Sequence, residues 1–445
     1  MKSFISTNNL TDFSAAFEGC RANRIAMRAV AENGMKESAK NRDLLNTLPH
    51  EYSLRLETGA ITHQKSSGRC WMFASLNFLR YDLIKKLDLS TFEFSQNYTL
   101  FYDKLEKCNF FLESILETLD EPTDGRLVQH LLRNPLGDGG QWDMIVNLIN
   151  KYGLVPKYVM PESKASSATQ DMNRTMTEKL REYACTLRTA YAAGEKPDAL
   201  RARKDEMLSA IYRILCICLG EPPKTFDFTW TDKKKVNHKD CGLTPKAFYD
   251  KYIGVDLADY VSLINAPTAD KPYHRCFTVK HLGNVKEGNI IRYLNLPIEE
   301  LKRVAIAQMK DGEPVWFGCD VGKNSIRDCG IMSMKAYRLD ELLNIDFPMT
   351  KAQRLDYGQS SMTHAMVFQG VDLNEDGTAN RWRVENSWGE EPGDKGYYMM
   401  TDDWFDEYMY QVVVHKKYLT AEEQAEYAGT PIELEPWDPM GSLAE

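Results

Sequence analysis

Residues 64–75 have the sequence Gln64-Lys-Ser-Ser-Gly-Arg-Cys70-Trp-Met-Phe-Ala-Ser75, which places one thiol where an irregular turn meets an apolar run. No Gly or Pro occurs from Cys70 to Leu89, so the sequence predicts a long, mostly buried helix that begins at or beside the cysteine. A helix N-terminus favours a thiolate, and the Gln64 amide is suited to stabilise a developing oxyanion. Taken alone, the stretch also fits a buried structural cysteine on a core helix.

Two later motifs favour catalysis over a structural thiol. His364 opens the apolar run His364-Ala-Met-Val-Phe-Gln-Gly370, which predicts a strand holding an imidazole at the edge of a sheet. Asn386 follows a second short strand and precedes Ser387-Trp388-Gly389. An Asn side chain can accept the imidazole N–H and fix the ring, which completes an arrangement of nucleophile, base and orienting residue.

These motifs, in the order Gln, Cys, His, Asn, resemble the papain-like cysteine peptidases, and within them the bleomycin hydrolase and bacterial aminopeptidase C family. The similarity includes the sequence around these motifs, from about Gly59 to Met400, and also the C-terminal tail. Further matching stretches are Gly59-Ala-Ile-Thr62, Gly139-Gly140 followed by Trp142, Tyr152-Gly-Leu-Val-Pro156, Pro314-Val and Asn386-Ser-Trp-Gly389.

The resemblance implies a role for each matching residue. Cys70 would be the nucleophile, His364 the base, Asn386 the orienting residue and Gln64 an oxyanion donor. We expect Cys70 and His364 to rest as a thiolate–imidazolium pair, with a depressed pKa for Cys70 alone among the ten cysteines. The substrate-binding residues would be Gly139 and Gly140, which admit substrate backbone, Trp388, which covers the Asn386–His364 contact, and Glu445, at the end of a C-terminal arm in the cleft.

Two departures from papain itself are informative. Secreted papain-like enzymes carry a second Cys three residues before the nucleophile, where this chain has Ser67. That disulfide is therefore absent, as expected in a reducing compartment. Cys70 and His364 are 294 positions apart, whereas papain and cathepsins separate them by about 130–150. A large insertion would account for the excess.

The predicted fold class is α+β, a papain-like fold with a helical half, a β-rich half, a helical insertion and a C-terminal arm in the active-site cleft. Helical spacing at 171–191 and 199–219, and short apolar runs at 315–319, 365–371, 382–385, 396–400 and 411–414, support this division. The predicted segments are an N-terminal arm and helix at 1–58, the nucleophile half at 59–162, the insertion at 163–300, the β-rich half at 301–418 and the arm at 419–445.

Composition narrows the function classes. The net charge is −9, which disfavours nucleic acid and anionic membranes as principal partners. Neither a secretory signal nor an apolar run of membrane-spanning length is readable, so a cytoplasmic location is expected. No cofactor or metal is predicted, and Gly137-Asp-Gly-Gly140 lacks the Lys and Ser or Thr of a phosphate loop.

The sequence therefore predicts a cysteine aminopeptidase that acts on peptides with a free N-terminus, and the resemblance implies a homohexamer. Two alternatives stay open. One is an endopeptidase of the same family, whose arm leaves the upstream subsites free. The other is a nucleic-acid-binding ring with vestigial catalysis, for which the Lys233–Lys235 cluster is the best candidate surface.

Overall fold

A mixed sheet of twelve strands crosses the computed structural model, which describes residues 3–45 and 47–444. The strand order is β14-β5-β6-β4-β13-β7-β10-β11-β12-β9-β8, and β1 adds to β10. The strands of this sheet are β1 (Leu54–Arg55), β4 (Tyr260–Ile264), β5 (Arg275–Val279), β6 (Tyr293–Asn295), β7 (Val315–Cys319), β8 (Ser325–Ile326), β9 (Ile331–Met332), β10 (His364–Leu373), β11 (Ala379–Glu385), β12 (Tyr397–Thr401), β13 (Met409–His415) and β14 (Ile432–Leu434). A separate hairpin joins β2 (Phe226–Thr231) to β3 (Asn237–Leu243).

Helices surround the sheet and dominate the first half of the chain. Those before the hairpin are α1 (Thr7–Gly19), α2 (Arg21–Asn33), α3 (Met35–Ala39), α4 (Arg42–Leu45), α5 (Cys70–Lys86), α6 (Gln96–Glu117), α7 (Arg126–Arg133), α8 (Trp142–Tyr152), α9 (Lys164–Ser167), α10 (Gln170–Ala192) and α11 (Pro197–Leu219). Those after it are α12 (Pro245–Phe248), α13 (Ile298–Lys310), α14 (Leu339–Leu343), α15 (Lys351–Asp356), α16 (Asp402–Tyr408) and α17 (Ala421–Ala428). The chain closes with a 3₁₀ segment, Pro439–Ala444.

Helix α5 is the centre of the helical half. Its apolar residues occur on every face, and Trp71, Met72 and Leu79 are fully or almost fully buried. They share one core with α6, α8, α10 and α11. A helix enclosed on all sides cannot shift without opening cavities, so its first residue, Cys70, is held in a fixed place.

The β-rich half has its own core, on the other side of the sheet. Strands β7, β10, β11 and β13 pack their inner faces against α13 and α16. In the antiparallel β7–β10 pair, His364 lies opposite Cys319. Pairing with β11 begins only at Val367, so β7 alone fixes the backbone of the strand end that carries the imidazole.

The segment predicted as a helical insertion, 163–300, contains more than helices. Its first part holds α9, α10 and α11, close to the predicted helical runs, but β4, β5 and β6 then join the main sheet. Strand β4 is buried at every residue, so it lacks the alternation by which a half-exposed strand is recognised. The division into five segments remains a prediction.

Two further features concern the surface. Helices α1 and α2 bury none of their residues against the rest of the chain. Across the described ranges, no helix combines the length and apolar character needed to cross a bilayer.

Candidate active site

Cys70 is the first residue of α5 and lies beside the start of β10. Its sulfur is close to the backbone N–H of Ala365, the residue after His364. The N–H groups of Ala365, Trp71 and Cys70 itself favour the thiolate. Burial has the larger effect, since Cys70 is only 5% exposed, and it raises the pKa of the thiol to about 11.

His364 is hydrogen-bonded to Asn386, as the sequence predicts. Its Nε2 lies 2.9 Å from Asn386 Oδ1, which also accepts the Ser387 backbone N–H at 2.8 Å. An acceptor at Nε2 keeps a proton on that nitrogen and leaves Nδ1 as the nitrogen that can take the thiol proton. Burial lowers the pKa of His364 to about 4, and the nearby Arg327 charge contributes in the same direction.

Burial acts against the thiolate–imidazolium pair expected from the sequence. A high pKa for Cys70 and a low one for His364 both favour a neutral thiol and a neutral imidazole. The expectation of a depressed pKa for Cys70 is therefore wrong for this structure. The amides at the start of α5 act in the predicted direction, but removal of water from both groups outweighs them.

Gln64 is placed by its own turn. Its backbone N–H donates to Ser387 O at 2.9 Å, and its Nε2 donates to Ser67 O at 2.7 Å. The Ser67 hydroxyl in turn donates to Gln64 O at 2.6 Å. A carboxamide has two N–H groups, and the bond to Ser67 uses one of them.

Asp138 holds the turn between Gln64 and Cys70 through hydrogen bonds, a role that was not predicted from the sequence. Its carboxylate accepts from Gly68 N–H at 2.9 Å, Lys104 Nζ at 2.7 Å, and the side chains of Thr169 and Asn173. Burial raises its pKa, but the Lys104 ammonium and these donors prevail and hold the pKa well below its usual range. The only local signal was an acidic residue within a glycine-rich loop.

The C-terminal arm lies in the cleft between the two halves. Gly140 N–H donates to Leu443 O at 2.9 Å, and Ser442 Oγ donates to Met362 O, also at 2.9 Å. A Cβ on Gly139 would lie 2.1 Å from Leu443 O, so only glycine allows this approach. The predicted contact residue Glu445 lies outside the described residues.

The arm is held further upstream by Trp437. The guanidinium carbon of Arg126 lies 3.7 Å from the centroid of the indole, and the ring of His130 approaches its edge at 6.0 Å. Asp438 pairs with buried Lys271 at 2.8 Å. A stacked cation and a mostly buried ion pair keep the arm in one path.

Trp388 shields the His364–Asn386 contact, as the sequence predicts. Its ring centroid is 4.7 Å from that of His364, at an interplanar angle of 35°. Arg327 lies over the same indole, with its guanidinium carbon 4.4 Å from the centroid. Sequence reasoning did not single out Arg327, because nothing in its local sequence indicates proximity to residue 388.

The chemistry that the site offers is that of its side chains and backbone amides. In the part of the chain that the structure describes, no set of three or more His, Cys, Asp or Glu side chains is arranged to hold a metal ion. The geometry instead supplies a thiol, an oriented imidazole and amide donors within one buried cleft. That combination suits nucleophilic attack on a carbonyl carbon.

Comparison with known proteins agrees with this chemistry. Aminopeptidase C of Streptococcus thermophilus is 49% identical over 416 residues, which are 94% of each chain. Aminopeptidase C of Listeria monocytogenes is 47% identical over 444 residues, with all of both chains covered. The crystal structure of PepW from Lactobacillus rhamnosis HN001 superposes with a TM-score of 0.97 at 49% identity, over 99% of each chain.

The comparisons confirm the predicted α+β, papain-like fold class. The model of the Peptidase C1-like family matches residues 4–441, nearly the whole length. This chain therefore belongs to the Peptidase C1-like family.

Proposed function

We propose that this chain is a cysteine aminopeptidase that releases N-terminal residues through a thioester at Cys70. The observation that carries the proposal is the arm, because Leu443 and Ser442 bond to opposite walls of a cleft that contains Cys70, His364 and Asn386. The names of the relatives, Aminopeptidase C, support the same activity.

The neutral resting pair defines the first chemical step. His364 Nδ1 takes the thiol proton as the Cys70 sulfur attacks the scissile carbonyl, so charge separates only when the substrate is in place. The remaining Gln64 N–H and the Cys70 backbone N–H hold the oxyanion. His364 then protonates the leaving amine, and afterwards it activates the water that hydrolyses the thioester. Asn386 keeps the ring oriented throughout.

The arm explains selection for a free amine. It occupies the half of the cleft beside Gly139 and Gly140, where residues upstream of the scissile bond would otherwise bind. A substrate with a blocked N-terminus would need the space that Leu443 and Ser442 occupy, so the arm disfavours it. Peptides with a free N-terminus are therefore the substrate class.

Matched fluorogenic substrates test this against the endopeptidase alternative. The full-length enzyme should cleave leucyl-aminomethylcoumarin and leave the acetyl-leucyl compound intact. Deletion of residues 440–445 should slow the first reaction and permit the second, and Cys70→Ala in the deleted chain should abolish both. Ser442→Ala, which removes the hydroxyl's hydrogen bonds to Met362 O and Pro439 O but keeps the arm, is the control and should retain the preference. Preferential cleavage of the blocked substrate by the full-length enzyme would instead establish an endopeptidase.

The proposal includes a homohexamer in the cytoplasm. Helices α1 and α2 expose an apolar set, namely Leu10, Phe13, Phe17, Ile25 and Met27, which supports contact with further copies of the chain. All ten cysteines are free thiols, as suits a reducing compartment.

Light scattering after size exclusion tests the assembly. We expect the wild-type mass to be six chains, and a Leu10, Phe13 and Phe17 to Ser variant to dissociate. Tyr357→Ser, at an exposed aromatic residue outside these helices, should leave the assembly unchanged. A monomeric wild type contradicts the proposal.

A further inference from the structure

The two halves of a peptide substrate meet different walls of the cleft. The acyl half lies along Gly139 and Gly140, where the arm lies now. The leaving half must begin beside His364, because the imidazole protonates the leaving nitrogen. Trp388 contacts that imidazole and is only half-buried, so its exposed surface belongs to the leaving side.

Arg327 is a positively charged residue on the leaving-group side of the cleft. Its guanidinium lies over the Trp388 indole at 4.4 Å, and its side chain is otherwise exposed. Burial is the main cause of the lowered pKa of both His364 and His63, and the Arg327 charge contributes in the same direction to each. Within residues 3–45 and 47–444, no ion pair joins Arg327 to a carboxylate. Tyr398 is a hydrogen-bonding neighbour of this guanidinium. Because a guanidinium has five N–H donors, one such bond leaves others on the planar group for a ligand.

We propose that Arg327 binds the C-terminal carboxylate of short peptides, so that dipeptides are favoured over longer or amidated substrates. This inference rests on the proposed aminopeptidase function and adds the chemistry of the leaving group. Arg is the residue best suited to pair with a carboxylate through two parallel N–H···O bonds.

Distances support a single leaving residue. The His364-to-Trp388 and Trp388-to-Arg327 separations are 4.7 and 4.4 Å, so the guanidinium lies within about 9 Å of the imidazole centroid. A leaving nitrogen sits about 3 Å from the imidazole nitrogen, and the carboxylate carbon of the same residue is about 2.5 Å further on. The carboxylate carbon then lies about 5.5 Å from the imidazole nitrogen. The guanidinium, at no more than about 9 Å from the imidazole centroid, is within salt-bridge range of a leaving residue that passes the edge of the indole. Each added residue moves the carboxylate by about 3.3–3.6 Å, beyond this reach.

The test compares Leu-Gly with Leu-Gly amide, which share every group except the terminal charge. We expect wild-type kcat/KM to be about tenfold higher for the free acid, the usual size of one charged hydrogen-bonded contact. Arg327→Gln should bring the ratio close to one, and Arg327→Lys should keep part of it. Because both substrates use the same Cys70 and His364, the ratio is insensitive to any change in the pKa of the imidazole.

Lys65→Gln is the matched control, since it removes a nearby positive charge that does not lie on Trp388. The control should retain the wild-type ratio. A wild-type ratio near one overturns the inference while leaving the aminopeptidase function intact. An unchanged ratio in Arg327→Gln also overturns the inference. An equal fall of the ratio in Lys65→Gln overturns it as well, because it would show that any nearby positive charge has the same effect. Failure of the wild type to cleave either substrate overturns the function and the inference together.

Discussion

Deletion of residues 440–445 should make Cys70 more reactive towards an alkylating agent. Leu443 and Ser442 bond to both walls of the cleft, so their removal admits water to the thiol and the imidazole. Burial is the largest contribution to the raised pKa of Cys70. Hydration should therefore lower that pKa, since the amides of Trp71 and Ala365 that favour the thiolate stay in place.

The size of the effect follows from the pKa. At about 11, against an ordinary 9.0, roughly one thiol in 10⁴ is ionised at pH 7, and full hydration would bring this to about one in 10². A thiolate of lower pKa is intrinsically less nucleophilic, with a Brønsted slope of about 0.4–0.5, which removes roughly a factor of eight. The net expectation is an increase of about tenfold in the alkylation rate.

Iodoacetamide labelling at pH 7 with peptide mapping measures this rate for each cysteine. The exposed Cys185, on α10, provides an internal standard whose rate should be the same in both proteins. A Cys70 rate that changes by less than about twofold would refute the reasoning. It would mean that α5 and β10, and not the arm, keep water from the thiol.

Three further predictions concern single residues. Asn386→Ala should reduce kcat clearly but less than His364→Ala, because a misoriented imidazole still transfers a proton part of the time; equal losses in steady-state kinetics would contradict the orienting role. Gln64→Ala should reduce kcat by about 10²–10³ with its fold intact by circular dichroism, the usual size of one lost oxyanion donor. Burial raises the pKa of Asp143 to about 7, so the folded state binds the proton more tightly and stability falls as pH rises from about 4 to about 7. The melting temperature of Asp143→Asn relative to wild type should therefore increase over that range, and a constant difference would show that the carboxyl is not titrating there.

Local sequence was enough for the elements that carry the catalytic side chains. The helix predicted from Cys70 to Leu89 begins at Cys70 and ends at Lys86, just before Asp88 adopts a left-handed conformation with φ of 49°. The predicted strand at 315–319 has the observed bounds, and the one at 365–371 is extended by one residue before and two after. Apolar runs closed by turn residues determine such boundaries.

Other parts of the site depend on contacts between distant residues. Asp138 meets Gly68 across 70 positions of sequence, and Arg327 meets Trp388 from another loop. Neither contact leaves a periodic or motif-like pattern. The raised pKa of Cys70 was also not predicted, because a helix N-terminus can be recognised in the sequence whereas the loss of water from a closed cleft cannot.

The C-terminal arm, which lies in the cleft as far as Ala444, limits the length of substrate that can bind beside it. The Gly140–Leu443 hydrogen bond fixes the position of the arm in the cleft, and the contact of Trp437 with Arg126 holds the arm further upstream. From Pro439 to Ala444 the arm is a 3₁₀ segment, which rises about 2.0 Å per residue. One residue of extended substrate spans about 3.3 Å, so removal of roughly two arm residues should admit about one more substrate residue. A family of enzymes that release one, two or three residues at a time could thus be made from this scaffold by changing only the length of the chain.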